Sequence, residues 1–245
     1  NPNSEYLRVE NWKNEDDFEK LFEEVLIEEL ELENIDDIAS FNKTLGSIDG
    51  RYFNFGEAAK KAESWQVLSP IRDKVFGVRS LNRNIHKKFR EDKVQYARSK
   101  YGKIPKPIGL EEIVYGDKII NLSNSKRYES TVFPREGSLD YIANGEIGMV
   151  IGQFKQKYHK FKGKPRNTEI EFTSQKGYKY TFRASEFSEE NNPPLELAYA
   201  LTVHKSQGSQ FKKVILIIPN PCFLLTREML YTSLTRQEDK VILLV

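Results

Sequence analysis

Hydrophobic positions in the first part of the chain repeat with the period of a helix. Residues 14–32 place apolar side chains three or four positions apart, which predicts an amphipathic helix with Asn14 as its N-cap. Residues 78–91 show the same period and follow the buried strand WQVLSP at residues 65–70. A strand followed by a helix is half of an α/β unit, so we expect this part of the chain to contribute to a parallel sheet.

The pattern changes in the middle of the chain, where short β-like runs replace the helical period. The runs VYGDKIINLS, GEIGMVIGQF, TEIEFTSQ and YKYTFRASEF are rich in β-branched and aromatic residues and are separated by turn residues. Four or five short strands within about 80 residues predict a small β-barrel or sandwich.

Continuous apolar runs return near the end of the chain and predict buried strands. These strands are expected at residues 195–202, 212–219 and 240–245. Residues 226–237 have helical spacing, with Thr226 as the N-cap. Apolar strands that alternate with helices are typical of a parallel sheet covered on both faces.

The two α/β-patterned parts therefore lie at the two ends of the chain, with a β module between them. We predict an α/β fold with one discontinuous domain, formed by residues 1–105 and 192–245. Residues 106–191 are predicted to form an inserted small antiparallel β-barrel.

Composition and charge narrow the function classes only a little. The 245 residues carry a net charge of +2, and no stretch approaches the roughly 18 consecutive apolar residues of a membrane span. The lone Cys222 excludes an internal disulfide and fits a reducing cytoplasm. Residues 155–179 are mostly basic and are expected either to face a phosphate backbone or to be a solvated surface. The abrupt ends of the sequence lead us to expect a piece of a longer protein.

The segment AYALTVHKSQGSQF concentrates polar groups directly after a predicted parallel strand. Open α/β sheets bind their ligands at this end of a strand, so the Thr202 hydroxyl and the following backbone N–H groups predict a phosphate site. His204 and Lys205 add donors, Gly208 permits close approach of the backbone, and Gln210 is placed to bond a sugar hydroxyl. The alternative is that Thr202 only caps the following turn.

A second candidate segment is TREMLYTSLTRQ, a predicted helix with Arg236 at its carboxyl end. An arginine delivered to a phosphate that another domain holds is an arginine finger. The alternative is that Arg236 only favours the helix dipole.

Together the two segments resemble motifs V and VI of superfamily-one DNA helicases of the UvrD/RecD type. The matching stretches are LTVHKSQGSQF at 201–211, VILIIP at 214–219, LYTSLTR at 230–236 and KVILLV at 240–245. A weaker resemblance to RecD-like helicases covers residues 65–89 and parts of the β module. The resemblance implies the second RecA-like domain of such a helicase, with a small β-barrel inserted into it.

The resemblance also implies roles for individual side chains. Three residues are expected to touch single-stranded DNA at its phosphates: Thr202, His204 and Lys205. Three are expected to approach ATP: Gly208, Gln210 and Arg236, with Arg236 as the catalytic contact to the γ-phosphate. The family usually has Glu where Gln210 stands, which leaves the strength of nucleotide binding at that point open.

The phosphate-binding sequence G-x-x-x-x-G-K-[ST] does not occur in the chain. In the family that sequence and the Mg²⁺-holding acidic residues lie on the first RecA-like domain. ATP and Mg²⁺ are therefore expected to be held mainly there, and the chain alone is expected to be inactive. The predicted function is the C-terminal part of a cytoplasmic, ATP-dependent DNA helicase whose partners are single-stranded DNA and that upstream domain. The alternative is a non-catalytic helicase-like module that binds nucleic acid or a partner protein.

The remaining polar and aromatic residues do not predict a specific functional site. The histidines lack the spacing of a zinc site, so no metal site is predicted in this chain. His86 is expected on a helix surface, and His159 in a basic loop. Arg72 is a further phosphate candidate, with pairing to Asp73 as the alternative. Most aromatic side chains of the β module are assigned to packing, although stacking on bases is the alternative.

Overall fold

The computed structural model of the protein describes residues 4–99, 104–155, 165–187 and 192–245. Its helices are α1 (Glu15–Glu29), α2 (Ile38–Thr44), α3 (Ala58–Lys61), α4 (Val78–Arg98) and α5 (Arg227–Leu234). Its strands are β1 (Leu7–Glu10), β2 (Trp65–Ser69), β3 (Lys118–Asn121), β4 (Ser125–Lys126), β5 (Val132–Phe133), β6 (Tyr141–Ile142), β7 (Ile147–Lys155), β8 (Pro165–Phe172), β9 (Lys179–Arg183), β10 (Leu195–Leu197), β11 (Ala200–Thr202), β12 (Phe211–Ile217) and β13 (Gln237–Leu244). None of the helices in this part of the chain is long and apolar enough to cross a membrane.

A five-stranded parallel sheet forms the first of the two main sheets. Its order is β1-β13-β12-β2-β11, and each neighbouring pair is parallel. The central strand β2 is entirely buried, and β12 is buried from Val214 to Ile217, as continuous apolar runs predict. The edge strand β1, which pairs with β13, was not predicted because LRVE has no long apolar run.

The second main sheet is antiparallel and has six strands, in the order β10-β3-β7-β8-β9-β5. A two-stranded ladder of β4 and β6 accompanies it. The predicted fold class, a parallel α/β sheet combined with an antiparallel β module, is therefore confirmed.

The chain forms two compact units. Unit 1 contains Asn1–Thr44, Glu63–Ile85 and Tyr199–Val245, and unit 2 contains Leu45–Ala62 and His86–Ala198. The assignment of residues 1–105 and 192–245 to a RecA-like domain, with 106–191 as an inserted module, stays a prediction.

The predicted strand 195–202 is wrong in one respect, because it is two strands that belong to different sheets. β10 pairs antiparallel with β3, whereas β11 pairs parallel with β2. Both strands are mostly buried, so the sequence shows one hydrophobic run, broken only by Glu196, where the chain passes from one sheet to the other.

Unit 1 holds its edge strand β11 through a side chain of α4. The Asn82 amide donates from Nδ2 to Ala200 O at 2.9 Å, and Ala200 N donates to Asn82 Oδ1 at 2.8 Å. Because Asn82 is buried, losing either bond would leave a polar group unsatisfied. This pair fixes the strand that ends at Thr202.

Unit 2 contains a buried ionic cluster, which corrects the prediction for His86. His86 is only 7% exposed, and its Nε2 lies 3.1 Å from Asp117 Oδ2. Arg90 Nε lies 3.0 Å from Asp117 Oδ1. Burial raises the pKa of Asp117, but His86 and Arg90 lower it by more, so the net shift is downward. The helical pattern placed His86 beside polar neighbours and gave no sign of a partner 31 residues away.

Candidate functional site

Thr202 is the last residue of β11, as the strand pattern predicted. Its Oγ1 accepts a hydrogen bond from Lys205 N at 3.3 Å, and Ser206 N donates to Thr202 O at 3.2 Å. Thr202 therefore caps the turn that follows it. A hydroxyl that accepts one bond still has its own proton to donate, so capping leaves Thr202 able to bind an oxygen ligand.

The loop after Thr202 is anchored by one buried serine and exposes most of its other polar side chains. The Ser206 side chain is fully buried, and its Oγ donates to Val203 O at 2.8 Å. His204 and Gln210 are exposed, and Lys205 is half-buried. The loop therefore has a fixed base with donors and acceptors on its surface.

Gly208 gives this loop a backbone conformation that other residues rarely adopt. Its φ is +90°, in the left-handed region, and no atom lies within 4 Å of the position that a Cβ would occupy. The open space beside Gly208 permits another molecule to approach the backbone closely.

Arg236 follows α5, whose first turn is capped by Thr226 through a 3.1 Å hydrogen bond from Met229 N. The Arg236 guanidinium donates from Nε to Thr232 O at 3.2 Å and from Nη1 to Ser209 O at 3.3 Å. No described residue accepts a hydrogen bond from Nη2. The structure therefore places Arg236 against the segment that contains Gly208 and Gln210.

The strand register separates the candidate residues into two sets, one at the carboxyl ends of the parallel strands and one at their amino ends. We call these two sides the carboxyl edge and the amino edge of the sheet. Thr202 is level with Ser69 of β2, whereas Lys213 of β12 is level with Trp65, four residues earlier in β2. Four residues of a strand span roughly 13 Å. The loop from Thr202 to Phe211 therefore runs from the carboxyl edge of the sheet back to its amino edge.

The carboxyl edge brings Thr202 close to a second loop. This loop follows β2 and carries the exposed Arg72. It begins at Ser69, the register partner of Thr202, and Ser69 Oγ donates to Phe76 O at 2.9 Å. Asp73 forms an ion pair with Arg79 at 2.6 Å.

The amino edge brings together the residues that the resemblance assigns to ATP. Arg236 directly precedes β13, and Gln210 directly precedes β12, which pairs with β13. Phe211 N donates to Arg236 O at 2.8 Å, which joins the two segments. A guanidinium, an exposed carboxamide and an open glycine backbone suit the phosphates and sugar of a nucleotide.

Unit 2 offers fewer candidate nucleic-acid-binding side chains in the structure than its sequence suggested. The aromatic rings of Phe172, Tyr180 and Phe182 are fully buried, which confirms their assignment to packing. The side chain of Phe154 lies outside the described residues, as do Tyr158, His159 and Phe161. The basic stretch that includes His159 therefore stays a prediction.

Sequence reasoning missed two groups that shape the site. Asn82 orients β11, and its signal was a polar residue between the apolar positions Leu81 and Ile85 of a helix. The carbonyl of Ser209 positions Arg236, and no sequence pattern reports a backbone acceptor.

Comparison with known proteins adds a family to this geometry. Residues 197–244 match the family model described as the UvrD-like helicase C-terminal domain. An uncharacterized protein of Methanocaldococcus jannaschii is 31% identical over 226 residues, which are 87% of this chain and 17% of that protein. RecBCD enzyme subunit RecD of Buchnera aphidicola subsp. Acyrthosiphon pisum is 28% identical over 188 residues, 74% of this chain and 24% of the subunit. RecBCD enzyme subunit RecD of Mycobacterium tuberculosis is 50% identical over 48 residues, 19% of this chain and 8% of the subunit.

Solved structures to which the chain shows similarity include Pif1 helicases. Pif1 helicase from Bacteroides, in complex with ADP-AlF3 and single-stranded DNA, is 16% identical, with a TM-score of 0.40. The similarity covers 91% of this chain and 48% of that one.

The fold and the family match define the class of this protein as a superfamily-one helicase C-terminal domain. Within that class, residues 197–244 carry the match to the UvrD-like helicase C-terminal domain, and RecD subunits are among the proteins to which the chain is similar. The resemblance found in the sequence is therefore confirmed. The chain spans about a quarter or less of the length of these curated relatives.

Proposed function

We propose that the full-length protein is an ATP-dependent DNA helicase that couples ATP hydrolysis to movement along single-stranded DNA and to duplex unwinding. The observation that carries the proposal is the placement of Arg236 against Ser209, beside Gly208 and Gln210, at one edge of the parallel sheet. The candidate phosphate-binding residue Thr202 ends a strand at the other edge. One loop connects the two edges.

The nucleotide half of the site consists of Arg236, Gly208 and Gln210. Arg236 has Nη2 available for a phosphate oxygen, and its other nitrogens are already oriented by Thr232 and Ser209. A guanidinium oriented in advance stabilises negative charge that develops on a transferred phosphoryl group. Bound ATP supplies the phosphoanhydride bond, and we assign Mg²⁺ and most contacts to ATP to an upstream RecA-like domain.

The DNA half consists of Thr202, His204 and Lys205. The Thr202 hydroxyl can donate to a phosphate oxygen while it accepts from Lys205 N. His204 is exposed directly after this strand end, and Lys205 adds positive charge. Contacts of this kind hold the backbone without reading the base sequence, as movement along any strand requires.

The loop from Val203 to Gln210 is the proposed link between the two halves. A change at Arg236 reaches this loop through Ser209, and the loop is fixed at its other end by the Thr202 cap and the buried Ser206. We propose that ATP binding and hydrolysis alter the contact between Thr202 and the DNA phosphates through this segment. Packed elements of this kind transmit small shifts because they have few alternative arrangements.

The second candidate function is a non-catalytic helicase-like module that binds nucleic acid or a partner protein. Gln210 favours it, since glutamine accepts a hydrogen bond from a ribose hydroxyl without the added strength of a charge. The sequence upstream of this chain distinguishes the two functions. A phosphate-binding loop with its lysine and an acidic Mg²⁺ motif favours the motor, and their loss favours the module.

The test is the Arg236→Ala variant of the full-length protein, measured for DNA-stimulated ATP hydrolysis and for binding of single-stranded DNA. We expect kcat to fall by about a thousandfold or more, as for other arginine fingers, with DNA affinity nearly unchanged. Arg227→Ala is the matched control, because Arg227 is an exposed arginine at the start of the helix that Arg236 follows. Retention of ATP hydrolysis by Arg236→Ala would contradict the catalytic role.

A further inference from the structure

A cleft of about 470 Å³ lies at the carboxyl edge of the parallel sheet, beyond the ends of three neighbouring strands. Its lining comes from the residues that directly follow β1, β12 and β13. Hydrogen bonds hold these strand ends together, from Ile218 N to Leu244 O at 2.8 Å and from Val245 N to Glu10 O at 2.9 Å. The cleft is therefore built on strand ends that are hydrogen-bonded to one another.

The side chains that line this cleft are uncharged. Its walls are formed by Trp12, Ile218, Pro219 and Leu225. Its polar side-chain groups are Asn11, Asn220, the Cys222 thiol and the buried indole N–H of Trp12, which has no hydrogen-bond partner among the described residues. Asn11 and Asn220 are exposed, and the described residues offer their carboxamides no hydrogen-bond partner. Each carboxamide presents a donor and an acceptor side by side.

This lining selects for an uncharged group with a polar edge. A phosphate or carboxylate would find no cation among the lining side chains, and a purely apolar group would strip water from two carboxamides without replacing its hydrogen bonds. A flat heterocycle buries its faces against apolar walls and pairs its edge with an amide, as Asn does with adenine. The cleft volume lies within the range of small-molecule sites.

The cleft and Thr202 lie at the same edge of one sheet. The order β13-β12-β2-β11 places one strand between Thr202 and the cleft wall that follows β12. Two strand spacings are roughly 10 Å, which is within reach of a neighbouring nucleotide on a single strand. Ligands of open parallel sheets collect along this edge.

We propose that the cleft between Asn11 and Asn220 binds one nucleobase of the single strand whose phosphates Thr202 contacts. This inference rests on the proposed function for its DNA strand, and it adds a base contact to the phosphate contacts. The base enters with its edge toward the two carboxamides and its faces against the apolar walls. The exposed Phe223, which follows Cys222, lies next to the cleft in the chain and offers a further stacking surface.

Abasic scanning of the full-length protein tests this site. A short oligodeoxyadenylate of the minimal length that binds is compared with versions that lack one base at each position in turn. We expect one abasic position to weaken binding by about fivefold or more, the effect of losing one stacked or amide-paired base. Asn11→Ala removes that difference and leaves the affinity for the abasic strand unchanged. Asn54→Ala, an exposed asparagine of unit 2, is the control and keeps the difference.

Cys222 supplies a second readout that does not depend on a substitution. It is half-buried in the cleft and is the only cysteine of this chain, so mass spectrometry of its peptide reports the cleft alone. We expect the oligonucleotide to slow alkylation of Cys222 by N-ethylmaleimide, and the strand abasic at the sensitive position to lose this protection.

The outcomes separate this inference from the proposed function. Equal affinity at every abasic position, together with an unprotected Cys222 in a protein that binds DNA, overturns the base site and leaves the helicase proposal intact. Failure to bind any oligonucleotide overturns both.

Discussion

Gln210 stands where the helicases that the sequence resembles are expected to have Glu. It is exposed, follows Ser209 directly and precedes the strand β12. Its carboxamide oxygen can accept a hydrogen bond from a hydroxyl, but a carboxylate there would accept a stronger, charge-assisted bond. A substitution at Gln210 therefore tests whether this edge of the sheet binds a nucleotide sugar.

We expect Gln210→Glu to lower the KM for ATP of the full-length protein by about threefold to tenfold, the effect of one charge-assisted hydrogen bond. The kcat should change little, because the sugar is remote from the bond that breaks. Gln207→Glu is the control, since Gln207 is exposed in the same loop. A raised KM in Gln210→Glu alone would show that the new carboxylate competes with ATP for Arg236.

At the residue scale the sequence singled out the candidate residues but not the contacts that hold them in place. Thr202 and Arg236 stood out because polar groups follow an apolar strand and because their motifs are specific. The capping bond from Lys205 and the bond to Ser209 involve backbone atoms, which no residue pattern reports. His86 was misplaced because its burial depends on Asp117, which is distant in the chain.

At the scale of elements, one carboxylate joins the end of helix α1 to three strands. Glu29 is only 6% exposed, and Lys240 Nζ of β13 lies 2.7 Å from its Oε1. Lys213 of β12 and Arg8 of β1 lie 3.6 and 3.4 Å from its carboxylate oxygens. Burial raises the pKa of Glu29, but the hydrogen bond and charge of Lys240 and the charge of Lys213 lower it by more. The net pKa is therefore below its ordinary value, and the ionised carboxylate stabilises the fold.

We expect Glu29→Gln to lower the free energy of unfolding by about 2–3 kcal/mol near neutral pH, because three cations lose a buried partner. A carboxylate with a depressed pKa stabilises the fold fully above its ordinary pKa of 4.5, and this contribution is lost as the pH falls through the folded-state value. The difference between the two proteins should therefore shrink on acidification below pH 4.5.

Urea unfolding of both proteins across this pH range measures the effect, with Glu28→Gln as the control. Glu28 pairs with Arg8, but its side chain is 61% exposed, so its loss should cost under about 1 kcal/mol. A difference that stays constant with pH would contradict the ionic explanation for Glu29.

Elements with a strong period were predicted correctly, and elements defined by a distant partner were not. Helix α1 and its Asn14 cap followed from spacing and from a residue type that suits the position. Strand β1 is a strand because β13 lies beside it, and LRVE alone has no buried face. The division between β10 and β11 depends on which sheet accepts each half of an apolar run, which the run itself does not encode.

At the scale of the whole molecule, the chain carries the proposed arginine finger but lacks a sequence that cradles phosphates. In the proposed function, Arg236 stabilises charge on a phosphoryl group only after another element has bound the nucleotide. Arg236 and Thr202 both lie in unit 1, so both halves of the proposed site belong to the same compact unit. The proposed catalysis therefore requires a second nucleotide-binding surface, whereas the proposed DNA binding does not.

We expect the 245-residue chain alone to release no phosphate from ATP above background, with or without single-stranded DNA, while the full-length protein does so. The isolated chain should still bind an oligonucleotide, and raising the salt concentration should weaken this binding, since Lys205 and other cations release counterions from the strand. Replacing Lys205 by alanine in the chain should reduce the slope of log affinity against log salt by about 0.7, the value for one phosphate contact on a single strand. If the isolated chain releases phosphate, and Arg236→Ala abolishes that release, the result would contradict the assignment of ATP binding to a second domain. It would show that unit 1 binds and hydrolyses ATP without help, through contacts that neither the loop after Thr202 nor the end of α5 accounts for.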